Sequence, residues 1–303
     1  MNTRSWMLAV LLLPLSLGCS GSKDDDTGAA QGDGGDGSDG SDGADGGAAS
    51  TVSTFPDGDA TWTGTAEVSN VELDVVVNTT HTDGRVTGDV QIDFLGTPLA
   101  FTFQGTVDRL HNELALVPLE WVGDDPELGL LGLLGLSATY DPDAGTLIGV
   151  LRDPTSWTNN DPDGGPLLLT TTASPSEVDP AELEGGGHFE SATPFSGTFQ
   201  CASATRDLSG TLSRFSDGRL TGSMSFDETD GLSLGTFGLD GVVDASTGHV
   251  TLLPLPWTED GPSDSQYVNF FVDGTVDANG MLGTVYQNIG AVYVDDQFIV
   301  AFE

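Results

Sequence analysis

The sequence predicts an all-β protein: two tandem, repeated antiparallel modules of about eight strands each, forming barrels or sandwiches, behind a disordered tether. Three observations lead there. The first is an internal repeat. Asp83 to Asp93 (DGRVTGDVQID) matches Asp217 to Asp227 (DGRLTGSMSFD), Gly105 to Asp108 (GTVD) matches Gly241 to Asp244 (GVVD), and Leu116 to Trp121 (LVPLEW) matches Leu252 to Trp257 (LLPLPW). The matches keep their order at a nearly constant offset, which is the mark of a duplicated unit. The second is strand-length runs such as 71–78, 85–94, 101–107 and 218–226, which alternate or are rich in Val, Thr and aromatics. The third is turn chemistry. Asp83-Gly84, Asp217-Gly218 and Asn279-Gly280 supply the positive φ angles that tight hairpins need.

Residues 1–18 read as a secretory signal peptide: Arg4 precedes an apolar run from Trp6 to Gly18 that is too short to span a bilayer. The segment Leu15-Ser16-Leu17-Gly18-Cys19 resembles the lipobox of bacterial lipoproteins. That resemblance implies a diacylglycerol thioether on Cys19, and so a membrane partner reached through the lipid anchor. The segment departs from the family in placing Ser16 three residues before the cysteine. Ser16 and Gly18 also have the spacing that an ordinary signal peptidase accepts. Ser20 resembles the residue that directs such proteins to an outer membrane, and Lys23 to Asp26 resembles a surface-export tag. The expected location is the bacterial cell envelope, anchored at the outer membrane and exposed on its surface.

Residues 19–54 then form the expected tether, rich in Asp, Gly and Ser, too poor in apolar side chains to offset its ordering entropy. As a flexible coil it would reach about 30 Å. Asp33, Asp36, Asp39, Asp42 and Asp45 recur every third residue, whereas calcium loops need every second, so this tract reads as a solvated spacer. The first β-module is expected at 55–173, a Gly- and Pro-containing linker at 174–188, and the second module at 189–303. Closure of each into a barrel would remove exposed strand edges. The strand pattern, with Gly two or three residues into many strands, resembles the up-and-down barrels of the avidin and lipocalin type. A single larger barrel made from both repeats is the alternative.

Charge narrows the function classes. Past residue 50, six arginines stand against 39 acidic residues, a formal net charge of −33, and no lysine occurs. Nucleic acid and anionic lipid need basic patches, so neither is an expected partner. Cys201 is the single cysteine downstream of Cys19 and aligns with Val68 of the first repeat, which predicts a core position rather than a nucleophile.

Trp121, Trp157 and Trp257 are each followed by an acidic turn. An aromatic beside carboxylates at a barrel rim suits a sugar or a cation, which makes Trp121 and Trp257 the candidate ligand-binding residues. The other reading is a strand-end tryptophan that plugs the barrel. Asn159, Asp161 and Asp163 alternate before Gly164, as in the first half of an EF-hand loop, and are the candidate calcium ligands. Thr170 stands where the bidentate Glu should be, so the stretch also reads as a solvated turn. The apolar, Gly-spaced run Leu128 to Leu136 follows Asp125-Pro126, which predicts a short helix that closes a barrel end or meets a partner.

No catalytic constellation stands out: the four histidines are scattered, and His-x-x-x-His and Cys-x-x-Cys are missing. The expectation is a non-catalytic envelope lipoprotein that displays two β-modules to bind or scaffold an envelope or extracellular ligand, assisted by calcium. A carrier of a small hydrophobic or sugar ligand is the runner-up. A glycan-acting hydrolase is third and has no motif behind it.

Overall fold

The computed structural model describes residues 51–302 except 69–70, 95, 124–132, 153–164, 186–191, 202–203, 216, 228–232, 260–268 and 290–291. Cys19, Trp157, Asn159, Asp161 and Asp163 lie outside the described residues. Two separate eight-stranded barrels close, each by antiparallel neighbours taken in chain order. The first consists of β2 (Gly58–Val68), β3 (Val71–Thr82), β4 (Arg85–Phe94), β5 (Thr97–Asp108), β6 (Glu113–Trp121), β7 (Gly135–Asp141), β8 (Thr146–Arg152) and β9 (Gly165–Thr171). The second consists of β11 (Thr193–Cys201), β12 (Ala204–Arg214), β13 (Arg219–Asp227), β14 (Ser233–Val243), β15 (His249–Glu259), β16 (Phe271–Asp277), β17 (Gly280–Ile289) and β18 (Val292–Phe302). The single larger barrel is therefore not the architecture.

Side-chain alternation decides which face of each strand turns inward. Along β3, Leu73, Val75, Val77, Thr79 and His81 are buried, while Glu72, Asp74 and Thr80 are exposed. A period of two is what a strand with one dry face requires. Both interiors are packed with their own side chains. Trp62, Phe101, Phe103, Tyr140 and a layer of Val and Leu fill the first. Phe195, Phe199, Phe237, Phe270 and Phe298 with Met224 and Met281 fill the second. Each barrel closes at a glycine. A Cβ at Gly64 would overlap the Leu168 carbonyl, and one at Gly197 the Ile299 carbonyl. The closing strands β9 and β18 approach here closer than any side chain allows.

The repeats superpose in register. Val68 and Cys201 both sit at the last pair of the first hairpin, opposite Val71 and Ala204. The hairpin at Asp83-Gly84 has φ of 50° and 76°, the left-handed pair of a type I′ turn.

Two expectations need correction. The segment 174–188 is not a bare linker, nor is the tether irregular up to 54. Ser176–Val178 (β10) pairs antiparallel with Val52–Thr54 (β1), and a short helix α1 (Pro180–Leu183) follows. Asp179 caps that helix by accepting from the Ala181 N–H, with Pro180 in the first turn. Second, the helix-start signal at 125–126 and residues 128–132 of the Leu128 to Leu136 run lie outside the described residues, and the end of that run is strand. Gly135 and Leu136 open strand β7, and Leu133 and Leu134 are buried in the first barrel. Pairing with β6 and β8 and inward burial set the conformation of these last residues.

Candidate functional site

Arginine is scarce in this chain, and five of the six arginines past residue 50 converge on one place. They meet four aspartates, Asp108, Asp240, Asp244 and Asp273, that are only 1–4% exposed. Four of the pairs cross from one barrel to the other. Arg85 reaches Asp273 at 2.7 Å, Arg109 reaches Asp244 at 3.1 Å, Arg152 reaches Asp240 at 3.1 Å, and Arg214 reaches back to Asp108 at 3.0 Å. Arg219 adds a pair to Asp240 within the second barrel at 3.5 Å.

The local sequence explains the first two acids. Asp108 and Asp244 stand where β5 and β14 turn into their hairpins. One oxygen of each holds its own turn: Asp108 Oδ1 accepts from the Leu110 N–H, and Asp244 Oδ1 from the N–H of Ser246. Such Asx turns are the usual work of Asp in loops. The other oxygen is left for the neighbouring barrel. Asp108 Oδ2 takes Arg214 and the His111 ring, at 2.7 Å, and Asp244 Oδ2 takes Arg109.

The contacts come in pairs that exchange the two repeats. Strand register makes Gln104 equivalent to Asp240, Ser137 to Asp273, and Arg152 to Tyr286. Gln104 donates to Asp273 at 2.9 Å and meets the Tyr286 hydroxyl at 2.5 Å. Its counterpart Asp240 accepts from Ser137 at 3.4 Å and from Arg152 at 3.1 Å. Gly84 packs on Asp244, and its equivalent Gly218 packs on Asp108. This is the pattern of an isologous, two-fold contact within a single chain. At its centre lie Ala115, Val117, Val242, Leu253, Phe271 and Tyr286, a dry apolar cluster distinct from both barrel interiors. Thr106 and Thr251 share a hydrogen bond of 2.9 Å beside it, and Thr251 also donates to Asp273.

Burial sets the electrostatics of this layer. It pushes the Asp273 carboxyl up, against the pull of Arg85, and pushes Glu113 up against the Thr139 hydrogen bond. Burial and then Arg85 push His249 down. The carboxylates of this layer are engaged, whereas the Nε groups of Arg152 and Arg214 lack a partner among the described residues; such buried pairs fix position more than they add stability.

His81 stands apart, at the end of the first barrel. Its Nδ1 lies 3.2 Å from the Pro56 carbonyl and 3.0 Å from Asp57, and its Nε2 accepts from the Gly84 N–H. That geometry fits the neutral ring protonated on Nδ1, and burial pushes its pKa down despite Asp57. A lowered histidine is neutral in the fold while the unfolded chain takes up a proton below about pH 6.5, so this contribution is lost on acidification. His81→Gln, which cannot titrate, is expected to be less stable at pH 7 by about 1–3 kcal/mol. The gap should narrow between pH 7 and pH 5. Urea midpoints of both proteins across that range check it; a gap that stays constant contradicts the assignment.

The sequence-based candidates do not gather at this layer. Trp121 and Trp257 are half-buried at the ends of β6 and β15, one in each barrel. Each meets a phenylalanine edge-to-face: Trp121 with Phe101 at 5.6 Å, Trp257 with Phe237 at 5.3 Å. Packed on the barrel cores, they stand as strand-end lids. Among the described residues no group of three or more His, Cys, Asp or Glu side chains converges as a metal site. The charge layer itself was not foreseen from the sequence. Its signal was available in the scarcity of arginine and in the repeated Asp-Gly-Arg and Gly-x-Val-Asp segments.

No protein-family model matches the chain, and a search of curated proteins finds no significant relative.

Proposed function

We propose that this chain is a non-catalytic lipoprotein of the bacterial cell envelope, whose two barrels act as one rigid binding or scaffolding unit. The observation that carries this reading is the pairing of packed barrel interiors with an inter-barrel layer that consumes nearly all the cations of the folded part. A carrier needs an open, apolar lumen; interiors filled by the chain's own side chains support the scaffold reading over the carrier reading. The lipobox-like segment ending at Cys19 and the tether behind it supply the means of display. The anchor is tested by growing a lipoprotein-processing bacterium that expresses the full chain with labelled palmitate. Label on the wild type, lost in Cys19→Ala, supports the reading; an unlabelled, freely released wild type overturns it.

Calcium assistance rests on Asn159, Asp161 and Asp163. Thermal unfolding in calcium should exceed that in sodium chloride of equal ionic strength, and Asp161→Ala with Asp163→Ala should abolish the excess. Equal midpoints would reduce the carboxylates to a solvated coat that any cation screens.

A further inference from the structure

We propose that one end of the first barrel is a binding pocket for a planar aromatic group carrying a hydroxyl, held occupied by the chain's own Phe55. Phe55 belongs to no barrel strand; it lies between β1 and β2, yet it is fully buried. Its ring stacks on Trp62 at 5.1 Å and 23°, and meets His81 and Tyr140 edge-on at 5.4 and 5.6 Å. Three aromatic rings around a fourth form a cage of the kind that recognises flat ligands. Tyr140 is 2% exposed, and its hydroxyl has no hydrogen-bond partner among the described residues. Buried polar atoms are nearly always satisfied, so an orphan in the wall of an aromatic cage marks a place for a polar ligand atom.

The second barrel lacks the cage. By register, Phe195 replaces Trp62, Arg214 replaces His81 and Val276 replaces Tyr140. The repeat unit therefore does not need these three side chains to close. They are a property of the first barrel alone.

The occupant is held by a light latch. Three residue pairs join β1 to β10, Val52 to Val178 through Thr54 to Ser176, and a two-stranded sheet of this size is marginal. Asn112 accepts from the Phe55 N–H at 2.9 Å and donates to the Ser53 carbonyl at 3.2 Å. Thr51 and Ser53 donate to Glu177 at the exposed surface. In sequence, the latch follows directly on the Asp- and Gly-rich segment before residue 50. Ligand and Phe55 compete for one cage, and the affinity observed is the cage's own affinity reduced by the fraction of time the plug is out.

The full chain is tested with phenol as probe. Hydrogen exchange at the amides of residues 52–55 should speed up as phenol is added, while the barrel amides stay protected. Ser53→Pro loosens the latch without touching the cage and should bind phenol about tenfold more tightly than wild type. Glu177→Ala, which removes two surface hydrogen bonds, should shift affinity the same way by less and serves if Ser53→Pro does not fold. Tyr140→Phe should weaken phenol and leave benzene unchanged. Phenol that fails to bind the folded latch variants overturns the proposal, as does phenol that binds without accelerating exchange at 52–55, or equally well to Tyr140→Phe.

Discussion

Asp108→Ala is expected to lower the unfolding free energy by about 3–5 kcal/mol, the usual cost of leaving one partner of a buried ion pair uncompensated. The carboxylate is 1% exposed and serves three groups at once: the Leu110 N–H that shapes its own turn, the His111 ring, and Arg214 of the other barrel. Its removal leaves Arg214 facing a dry contact, where its Nε already lacks a partner among the described residues. The loss should appear in the coupling between barrels as well as in the total. Chemical denaturation followed by tryptophan fluorescence should separate the barrels when the variant is studied with Trp257 replaced by Phe and, separately, with Trp257 as the one tryptophan past residue 50, because Trp62, Trp121 and Trp157 belong to the first module and Trp257 to the second. The double change Asp108→Ala with Arg214→Met restores apolar packing without a stranded charge, and it should recover much of the loss. A recovery of nothing would mean that Asp108 acts through its own turn, and that the cross-barrel pair is incidental.

Gly84→Ala should cost about as much, through a different route. The residue has φ of 76°, where any side chain pays about 1–2 kcal/mol. A Cβ there would also overlap the buried Asp244 carboxyl and push it from Arg109. Gly218, the equivalent residue in the second repeat, has φ of 89° and the same relation to Asp108. The two glycines thus bring each hairpin against an acid of the opposite barrel. Gly145 is the control: its φ is 64°, but the nearest atom to its Cβ would be the Thr171 carbonyl at 3.1 Å. Gly145→Ala should cost only the conformational part. Urea midpoints for the three alanine variants measure the difference. Equal losses at 84, 218 and 145 would remove the inter-barrel argument and leave only backbone strain.

The architecture was legible in the sequence because duplication and alternation are local. The Asp83 to Asp93 and Asp217 to Asp227 segments could be matched by eye, and the inward rows of β3 follow directly from period two. What escaped was everything set by contacts between distant segments. Val52–Thr54, though β-branched at both ends, is too short for a strand signal of its own and pairs with Ser176–Val178 beside it. The Leu128 to Leu136 run carries a helix-start signal, yet its last two residues join β6 and β8 in a sheet. The charge layer was hidden for the same reason. Asp108 and Arg214 are 106 residues apart, and of the four carboxylates that face an arginine only Asp108 and Asp244, in the repeated Gly-x-Val-Asp segments, carry any local mark among the 39. Phe55 was hidden too, since a single aromatic before a strand gives no hint that it fills the barrel.

The central claim is that the two barrels form one cooperative unit locked by the Arg–Asp layer, and calorimetry of the folded chain tests it most directly. The account predicts a single unfolding transition whose calorimetric and van't Hoff enthalpies agree in the wild type, and a split into two transitions in Asp108→Ala. Two independent transitions in the wild type would contradict it, and would make the barrels separate beads on one string.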